Sequence, residues 1–138
     1  MEQGPYINQT EVAHALKISK SGKTVGPDGI HVELLKLLED KGLIQITNLY
    51  NTIYKTGIIP HDWPKSTFIA LPKKPNASDC NDHCTISLMG HALKVFLKII
   101  HSRIYRKCES FLGETQFGFR NSMGTILYKR ISSKMSGL

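Results

Sequence analysis

The sequence has few cysteines and no long apolar run, and we expect no secretory leader. Its three cysteines, Cys80, Cys84 and Cys108, are odd in number and irregularly spaced, which excludes a disulfide framework and is typical of a reducing compartment. The longest apolar runs are a few residues, far short of the roughly 20 needed to cross a bilayer. The amino terminus lacks the basic and apolar regions of a signal peptide. We therefore expect an intracellular protein, nuclear or cytoplasmic, without a membrane partner.

Acidic residues are scarce in the last third of the chain. Residues 89–138 carry five Lys and four Arg against only Glu109 and Glu114, whereas residues 1–88 have no arginine and balance nine Lys with nine acids. The formal net charge of +7 therefore belongs entirely to the last third. This asymmetry favours a nucleic-acid partner, and a solvated basic face is the alternative. No aspartate follows Asp82, and no Asp-Asp pair occurs anywhere.

The first half of the sequence predicts three helices. Asn8 caps the first, with Glu11 as its capping-box partner, and the helix continues to the Ser-Gly-Lys stretch at 21–23. Asp28 caps the second, which Gly42 ends, and Gly57 ends the third. The residues assigned to the buried faces are Val12, Ala15 and Leu16 in the first helix, Ile30, Leu34, Leu37 and Leu38 in the second, and Leu43, Ile46, Leu49, Tyr50 and Ile53 in the third.

The pattern changes near Ser66, where it predicts a β-hairpin followed by a long helix. Residues 67–71 are apolar and partly β-branched, so we expect a buried strand that Pro72 ends, with a partner strand at 84–88. An apolar stripe from about Gly90 onward predicts the long helix. Its members are Leu93, Phe96, Leu97, Ile100 and Ile104. The expected fold class is thus mainly α with a small β-hairpin, that is, α+β.

Four stretches stand in order along this framework. They read Gly-Pro-Asp-Gly-Ile at 26–30, Ile-Ala-Leu-Pro-Lys-Lys at 69–74, Thr-Ile-Ser-Leu-Met at 85–89, and Gln-Phe-Gly-Phe-Arg at 116–120 with Gly-Thr at 124–125. Together they resemble the N-terminal part of the reverse transcriptase domain of non-LTR (LINE-type) retrotransposons. The resemblance implies that residues 1–125 are the fingers region of a right-hand polymerase without its catalytic palm, and it leaves 126–138 as a ragged or frameshifted tail.

The resemblance also implies a set of nucleotide-binding residues. Lys73 and Lys74 match the family's Pro-Lys-Lys stretch, and Arg120 is a candidate contact to a phosphate or a strand, because cationic side chains suit a triphosphate. Two solvated lysines at a loop entrance are the alternative. Where the family has Tyr-Arg, this chain has His83 and Cys84, so the arginine expected to grip the triphosphate is absent.

Basic residues on the long helix are candidate contacts to RNA and DNA, the template and primer that the resemblance implies. Lys94 and Lys98 are like charges at i, i+4, a small cost that apposed phosphates would turn into a gain. The full set of nucleic-acid-binding candidates is Lys94, Lys98, Arg103, Arg106 and Lys107.

The complete family domain uses two Mg²⁺ ions held by aspartates on separate strands, and those motifs are absent here. We therefore expect no catalytic residue, no bound cofactor and no metal site. A zinc site built on Cys80, His83, Cys84 and His91 lacks a second ligand pair at finger-like spacing.

The expected function is that of a fragment of a retrotransposon RNA-directed DNA polymerase, inactive by itself. The alternatives are a non-catalytic RNA- or DNA-binding module and a functionless pseudogene product. Without a palm, apolar surface would be exposed and would promote self-association. Cooperative unfolding of a stable monomer would contradict that expectation.

Overall fold

The computed structural model describes residues 4–111, and its elements confirm the α+β class. The helices are α1 (Gln9–Lys17), α2 (Val32–Lys36), α3 (Asp40–Thr56) and α4 (His91–Cys108), and the strands are β1 (Ser66–Pro72) and β2 (His83–Met89). Single 3-10 turns occur at Cys80–Asp82 and Glu109–Phe111. One compact unit ends at Ser102 and a second begins at Arg103. Within the described range, no helix is both long and apolar enough to cross a membrane.

The first helix forms as its sequence predicts. Asn8 Oδ1 accepts a hydrogen bond from the Glu11 N–H at 2.8 Å, and the Asn8 N–H donates to Glu11 Oε2 at 3.0 Å, which completes the capping box. Val12, Ala15 and Leu16 are buried, as expected. The helix ends at Lys17, short of the predicted 21–23, because Ile18 is its C-cap.

The second predicted helix is wrong in its cap, its length and its buried face. Asp28 does not cap it, because Asp28 Oδ1 accepts from the nearby Ile30 N–H at 3.2 Å. The helix has five residues, begins after His31 and buries Val32. A helix this short presents no continuous stripe, so Ile30, Leu34 and Leu37 are exposed.

Gly42, which was predicted to end the second helix, lies inside α3.

Tyr50 of α3 belongs to the core. Tyr50 is 0% exposed, packs edge-on to Trp63 and tilted against Phe96, and donates its hydroxyl to the Ala92 carbonyl at 2.8 Å. Burial raises the pKa of Tyr50 far above its ordinary value. The predicted end of α3 is confirmed, since Gly57 has φ 71° and its N–H donates to the Ile53 carbonyl at 2.8 Å.

The predicted hairpin is confirmed in its pairing, whereas its predicted burial is wrong. The strands β1 and β2 pair antiparallel from Ser66 opposite Met89 to Pro72 opposite His83. Most positions on both strands are exposed, and Phe68, a large apolar residue of β1, is 70% exposed. A strand is buried on both faces only when other elements cover both sides of its sheet. This sheet has two strands, and its mostly exposed positions show that the described residues do not cover it in this way. The exposed apolar residues of the hairpin agree with the separate expectation that apolar surface would be exposed without a palm. Self-association stays a prediction.

The long helix is confirmed, but its buried face is rotated from the predicted stripe. Ala92, Val95, Phe96 and Ile99 recur at i, i+3, i+4 and i+7 and are buried, together with Leu93. Leu97 and Ile104, both assigned to the core, are 44% and 54% exposed. The rotation has a direct consequence, because it leaves Lys94 and Lys98 beside the buried face rather than opposite it.

The Gly-Pro-Asp-Gly turn packs directly on the end of β2. The Gly29 N–H donates to the Gly26 carbonyl at 3.1 Å, and Gly29 has φ 66°, which favours glycine. A Cβ at Gly26 would lie 2.5 Å from both the Met89 carbonyl carbon and the Gly90 nitrogen. A Cβ at Gly90 would lie 2.5 Å from Asp28 Oδ2. Two motif stretches that are distant in sequence are therefore in contact through glycines.

Replacing Gly26 by alanine is expected to destabilise the chain by about 2 kcal/mol, because the new methyl group meets backbone atoms that cannot move aside separately. Chemical denaturation measures the effect. The matched control is Gly42→Ala, whose methyl group meets mainly the mobile end of Leu38 in a helix that favours alanine. Equal stabilities of the two variants would show that the Gly26 contact is not tight.

Candidate nucleic-acid-binding site

The first candidate site is the hairpin tip, residues 73–82, which joins β1 to β2. Lys73 and Lys74 follow the last residue of β1, as predicted. The Lys73 N–H donates to the Asp82 carbonyl at 2.7 Å, and its Nζ donates to the Asn81 carbonyl at 3.0 Å. Lys74 Nζ lies 2.9 Å from Asp82 Oδ1. Both ammonium groups therefore lie at an exposed tip, and both have partners within it.

These partners are weak competitors for a phosphate. The Lys74 side chain is 61% exposed, and an ion pair in such a position contributes about 0–1 kcal/mol. The Asp82 carboxylate is nevertheless a local negative charge that a phosphate would have to displace or avoid. The arrangement allows the lysines to turn towards an anion but does not by itself create a pocket for one.

Cys84 is the residue for which the resemblance implied an arginine in the family. It pairs with Leu71 near the end of the hairpin and is exposed. Because opposite residues of an antiparallel pair share a face, Cys84 lies on the face that carries Leu71, Ile69 and Ile86. A thiol there supplies no positive charge. A longer side chain could lie along the apolar face and reach beyond the strand end.

The second candidate site is an open groove of about 350 Å³ between the segment after α1 and the first two turns of α4. We call it the basic groove. The basic side chains that line it are Lys20, Lys23, His91, Lys94 and Lys98. On α4 these residues recur at i, i+3 and i+7, so they lie on one face of the helix. No carboxylate lines this groove among the described residues.

Lys98 and Lys36 converge on Ser19 at the edge of the basic groove. Lys98 Nζ donates to Ser19 Oγ at 3.1 Å, and Lys36 Nζ donates to the Ser19 carbonyl at 2.6 Å and to Ser21 Oγ at 2.9 Å. Burial, together with the charge of Lys36, lowers the pKa of Lys98. Lys94 and Lys98 line the same groove, and their role in nucleic-acid binding stays a prediction. Ser19, Lys20, Lys23 and His91 were not among the predicted nucleic-acid-binding residues.

One carboxylate near the groove is already engaged. Glu33 Oε1 accepts a hydrogen bond from the Gly22 N–H at 2.6 Å, and that bond is the main cause of its lowered pKa. The bond fixes the loop that carries Lys20 and Lys23. The Ser-Lys-Ser-Gly-Lys run at 19–23 was the sequence signal available for this part of the groove.

The remaining candidates lie elsewhere. Arg106 and Lys107 are exposed in the last turn of α4, where positive charge also favours the helix dipole, and Arg103 begins the second compact unit. Arg120, the stretch at 116–125 and the predicted tail at 126–138 lie outside the described residues. Within residues 4–111, no three His, Cys, Asp or Glu side chains come together as metal ligands.

The chain is similar to polymerases of transposable elements, although no family model matches it. It is 30% identical over 120 residues to the probable RNA-directed DNA polymerase from transposon X-element of Drosophila melanogaster. The matched residues are 84% of this chain and 13% of that relative. It is 26% identical over 124 residues to the probable RNA-directed DNA polymerase from transposon BS of the same fly. Those residues are 87% of this chain and 14% of that relative.

A third relative extends the similarity to another species. The RNA-directed DNA polymerase from mobile element jockey of Drosophila funebris is 26% identical over 122 residues, which is 86% of this chain and 13% of the relative. The chain thus spans only about an eighth of the length of these relatives. The resemblance to non-LTR retrotransposon reverse transcriptases is confirmed for most of the chain.

Replacing Cys84 by arginine is expected to tighten binding of a nucleoside triphosphate by up to about fivefold. Because Cys84 is exposed, the added charge contributes about 0–1 kcal/mol, and about 1.4 kcal/mol is one factor of ten. Calorimetric titration with a deoxynucleoside triphosphate measures the change. Cys80→Arg is the control, since it adds the same charge at an exposed cysteine within the hairpin tip, whereas Cys84 lies in β2. Equal affinities of the parent and Cys84→Arg would refute the assignment.

Proposed function

We propose that this chain, similar over most of its length to a segment of non-LTR retrotransposon RNA-directed DNA polymerases, is the fingers part of such a polymerase. Its role is to hold phosphates of the incoming nucleotide and of the nucleic-acid strands. The observation that carries the proposal is the position of Lys73 and Lys74 at the exposed hairpin tip, at the Pro-Lys-Lys stretch of the resemblance.

The proposed division of labour follows from charge and geometry. Lys73 and Lys74 act as mobile point charges towards a triphosphate, because weak partners hold them at an exposed tip. Lys94 and Lys98 lie on the helix that follows β2, where they face strand phosphates from the basic groove. In this proposal Arg103, Arg106 and Lys107 continue the basic helix, and Arg120 adds a contact from outside the described residues.

In this proposal we assign no site for the metal ions of the parent reaction to the described residues. Two Mg²⁺ ions activate the attacking oxygen and stabilise the leaving oxygen in nucleotidyl transfer, and they are held by clustered carboxylates. Residues 4–111 bring no such cluster together. The chain's own contribution in this proposal is therefore binding and orientation, and no chemical step is assigned to it.

A second candidate function is a non-catalytic module that binds RNA or DNA. The specific observation in its favour is the basic groove, which collects five basic side chains without a carboxylate in its lining. A groove of this kind supports strand binding whether or not a polymerase active site is present. A functionless relic is the remaining alternative, and absence of binding would favour it.

Binding to a short single-stranded oligonucleotide is expected to weaken linearly with the logarithm of salt concentration, because each neutralised phosphate releases counterions. The double variant Lys73→Gln, Lys74→Gln should flatten that slope by about 1, by loss of one or two phosphate contacts. Fluorescence anisotropy across a potassium chloride series measures both. The control is Lys41→Gln, Lys65→Gln, which removes the same charge from exposed sites elsewhere. A salt-independent affinity would refute nucleic-acid binding.

The chain alone is expected not to extend a primer on an RNA template in the presence of Mg²⁺. The physical reason is that the described residues provide no carboxylate cluster to hold the two metal ions. Incorporation of a labelled deoxynucleotide measures the activity, with a complete reverse transcriptase as the positive control. Template-dependent incorporation that copurifies with this chain would overturn the expectation.

A further inference from the structure

The basic groove contains a buried imidazole that the described residues do not satisfy. His91, the first residue of α4, is 5% exposed and lines the groove, and its Nε2 is buried without a hydrogen-bond partner among residues 4–111. An unsatisfied buried nitrogen costs free energy, so such atoms call for a specific explanation. One nitrogen of a neutral imidazole can donate a hydrogen bond to an oxygen ligand, and both donate when the ring is protonated.

Three lysines around this imidazole have no partner among the described residues. Lys20, Lys23 and Lys94 line the same groove, and none of their ammonium groups forms a hydrogen bond or an ion pair within residues 4–111. Lysine ammonium groups on a protein surface are often simply solvated. Here three of them share one concave site with a buried imidazole, and a concave site with low-dielectric walls strengthens the field of one sign.

The fourth lysine is held in place rather than solvated. Lys98 donates to Ser19 Oγ, and the Ser19 hydroxyl donates in turn to the Ala15 carbonyl at 2.7 Å, which ties the groove edge to α1. Lys36 approaches the same serine from α2. Two ammonium groups at one residue repel each other, and burial lowers the pKa of Lys98 further. An anion in the groove would offset that repulsion.

The nearby carboxylates do not fill this role. Glu33 is bound to the Gly22 N–H, on the loop behind Lys23, and it does not line the groove. Asp28 lies against Gly90, where a Cβ would come within 2.5 Å of its Oδ2, and it too is absent from the lining. Among residues 4–111, the groove therefore has a surplus of donors and positive charge and no carboxylate in its lining to act as a counterion.

We infer that the basic groove is a phosphate site, separate from the hairpin tip, which takes one phosphodiester group of a single-stranded nucleic acid. Lys20, Lys23 and Lys94 supply charge, His91 supplies a fixed hydrogen-bond donor, and Lys98 holds the loop in place. This inference rests on the proposed function for the nature of the strand. It adds contacts from Lys20 and Lys23, which belong to the electrically balanced residues 1–88.

The test compares two charge-matched double variants of the full chain. Lys23→Gln with Lys94→Gln removes two unpartnered lysines from the groove, and Lys41→Gln with Lys65→Gln removes the same charge elsewhere. The probe is a short fluorescein-labelled oligouridylate at low salt. The groove variant should bind about tenfold more weakly, the loss expected for one charge-assisted contact, and the control should match the parent within about twofold.

A second measurement needs no variant. The ring ¹⁵N signals of His91 in the parent chain should shift on addition of the oligonucleotide, whereas those of His61, whose side chain is 88% exposed, should not. Inorganic phosphate at the same phosphorus concentration is the second arm. A His91 shift with the oligonucleotide alone supports a phosphodiester ligand. An equal shift with inorganic phosphate, at unchanged oligonucleotide affinity of the groove variant, would overturn the strand assignment.

The outcomes separate this inference from the proposed function. If Lys73→Gln with Lys74→Gln weakens binding while the groove variant and the His91 signals are unchanged, the groove inference falls and the hairpin role stands. If the groove variant loses affinity and the hairpin variant does not, the hairpin role falls and the groove site stands. If the parent chain binds no oligonucleotide and His91 does not respond to phosphate, both fall.

Discussion

The close approach of Gly26 to the Met89–Gly90 peptide is the constraint on which the basic groove depends. It leaves no room for a Cβ, and it places the Gly-Pro-Asp-Gly turn against the point where the hairpin ends and α4 begins. The segment before the turn carries Lys20 and Lys23, and α4, which begins directly after Gly90, carries His91 and Lys94. The hydroxyl of Tyr50 holds the same first turn of α4 from the core side, through the Ala92 carbonyl.

Charge in this protein has two distinct uses. Lys36, Lys73 and Lys98 donate to carbonyl and hydroxyl oxygens and so hold loops in place, while Lys20, Lys23 and Lys94 have no such partner in the described part of the chain. Holding a loop in this way has an electrostatic cost for Lys98, since burial and the charge of Lys36 lower its pKa. Sites where fixed donors stand beside unpaired charge are suited to phosphate, because the donors are already ordered when the ligand arrives.

Net charge alone would have misplaced the basic groove. Residues 1–88 are balanced overall, which suggested that all positive surface lay in the last third. The fold separates those balanced charges, since Glu33 is bound to Gly22 and Asp62 to Lys65, and leaves Lys20 and Lys23 of this segment in the groove. A sum over a segment contains no information about which side chains share a surface. The same limit explains the hairpin, whose apolar residues predicted burial but whose two-stranded sheet leaves them exposed.

The sequence by itself determined the elements that depend on local chemistry. The Asn8–Glu11 capping box, the Gly57 terminus, the hairpin pairing and the start of α4 all follow from short-range hydrogen bonding and periodicity, and the four ordered stretches were enough to indicate the relatives. Only the tertiary structure decided the buried face of α4, the brevity of α2 and the meeting of residues 18–23 with His91, Lys94 and Lys98. These outcomes depend on contacts between segments some 70 residues apart, and local propensity carries no information about contacts at that separation.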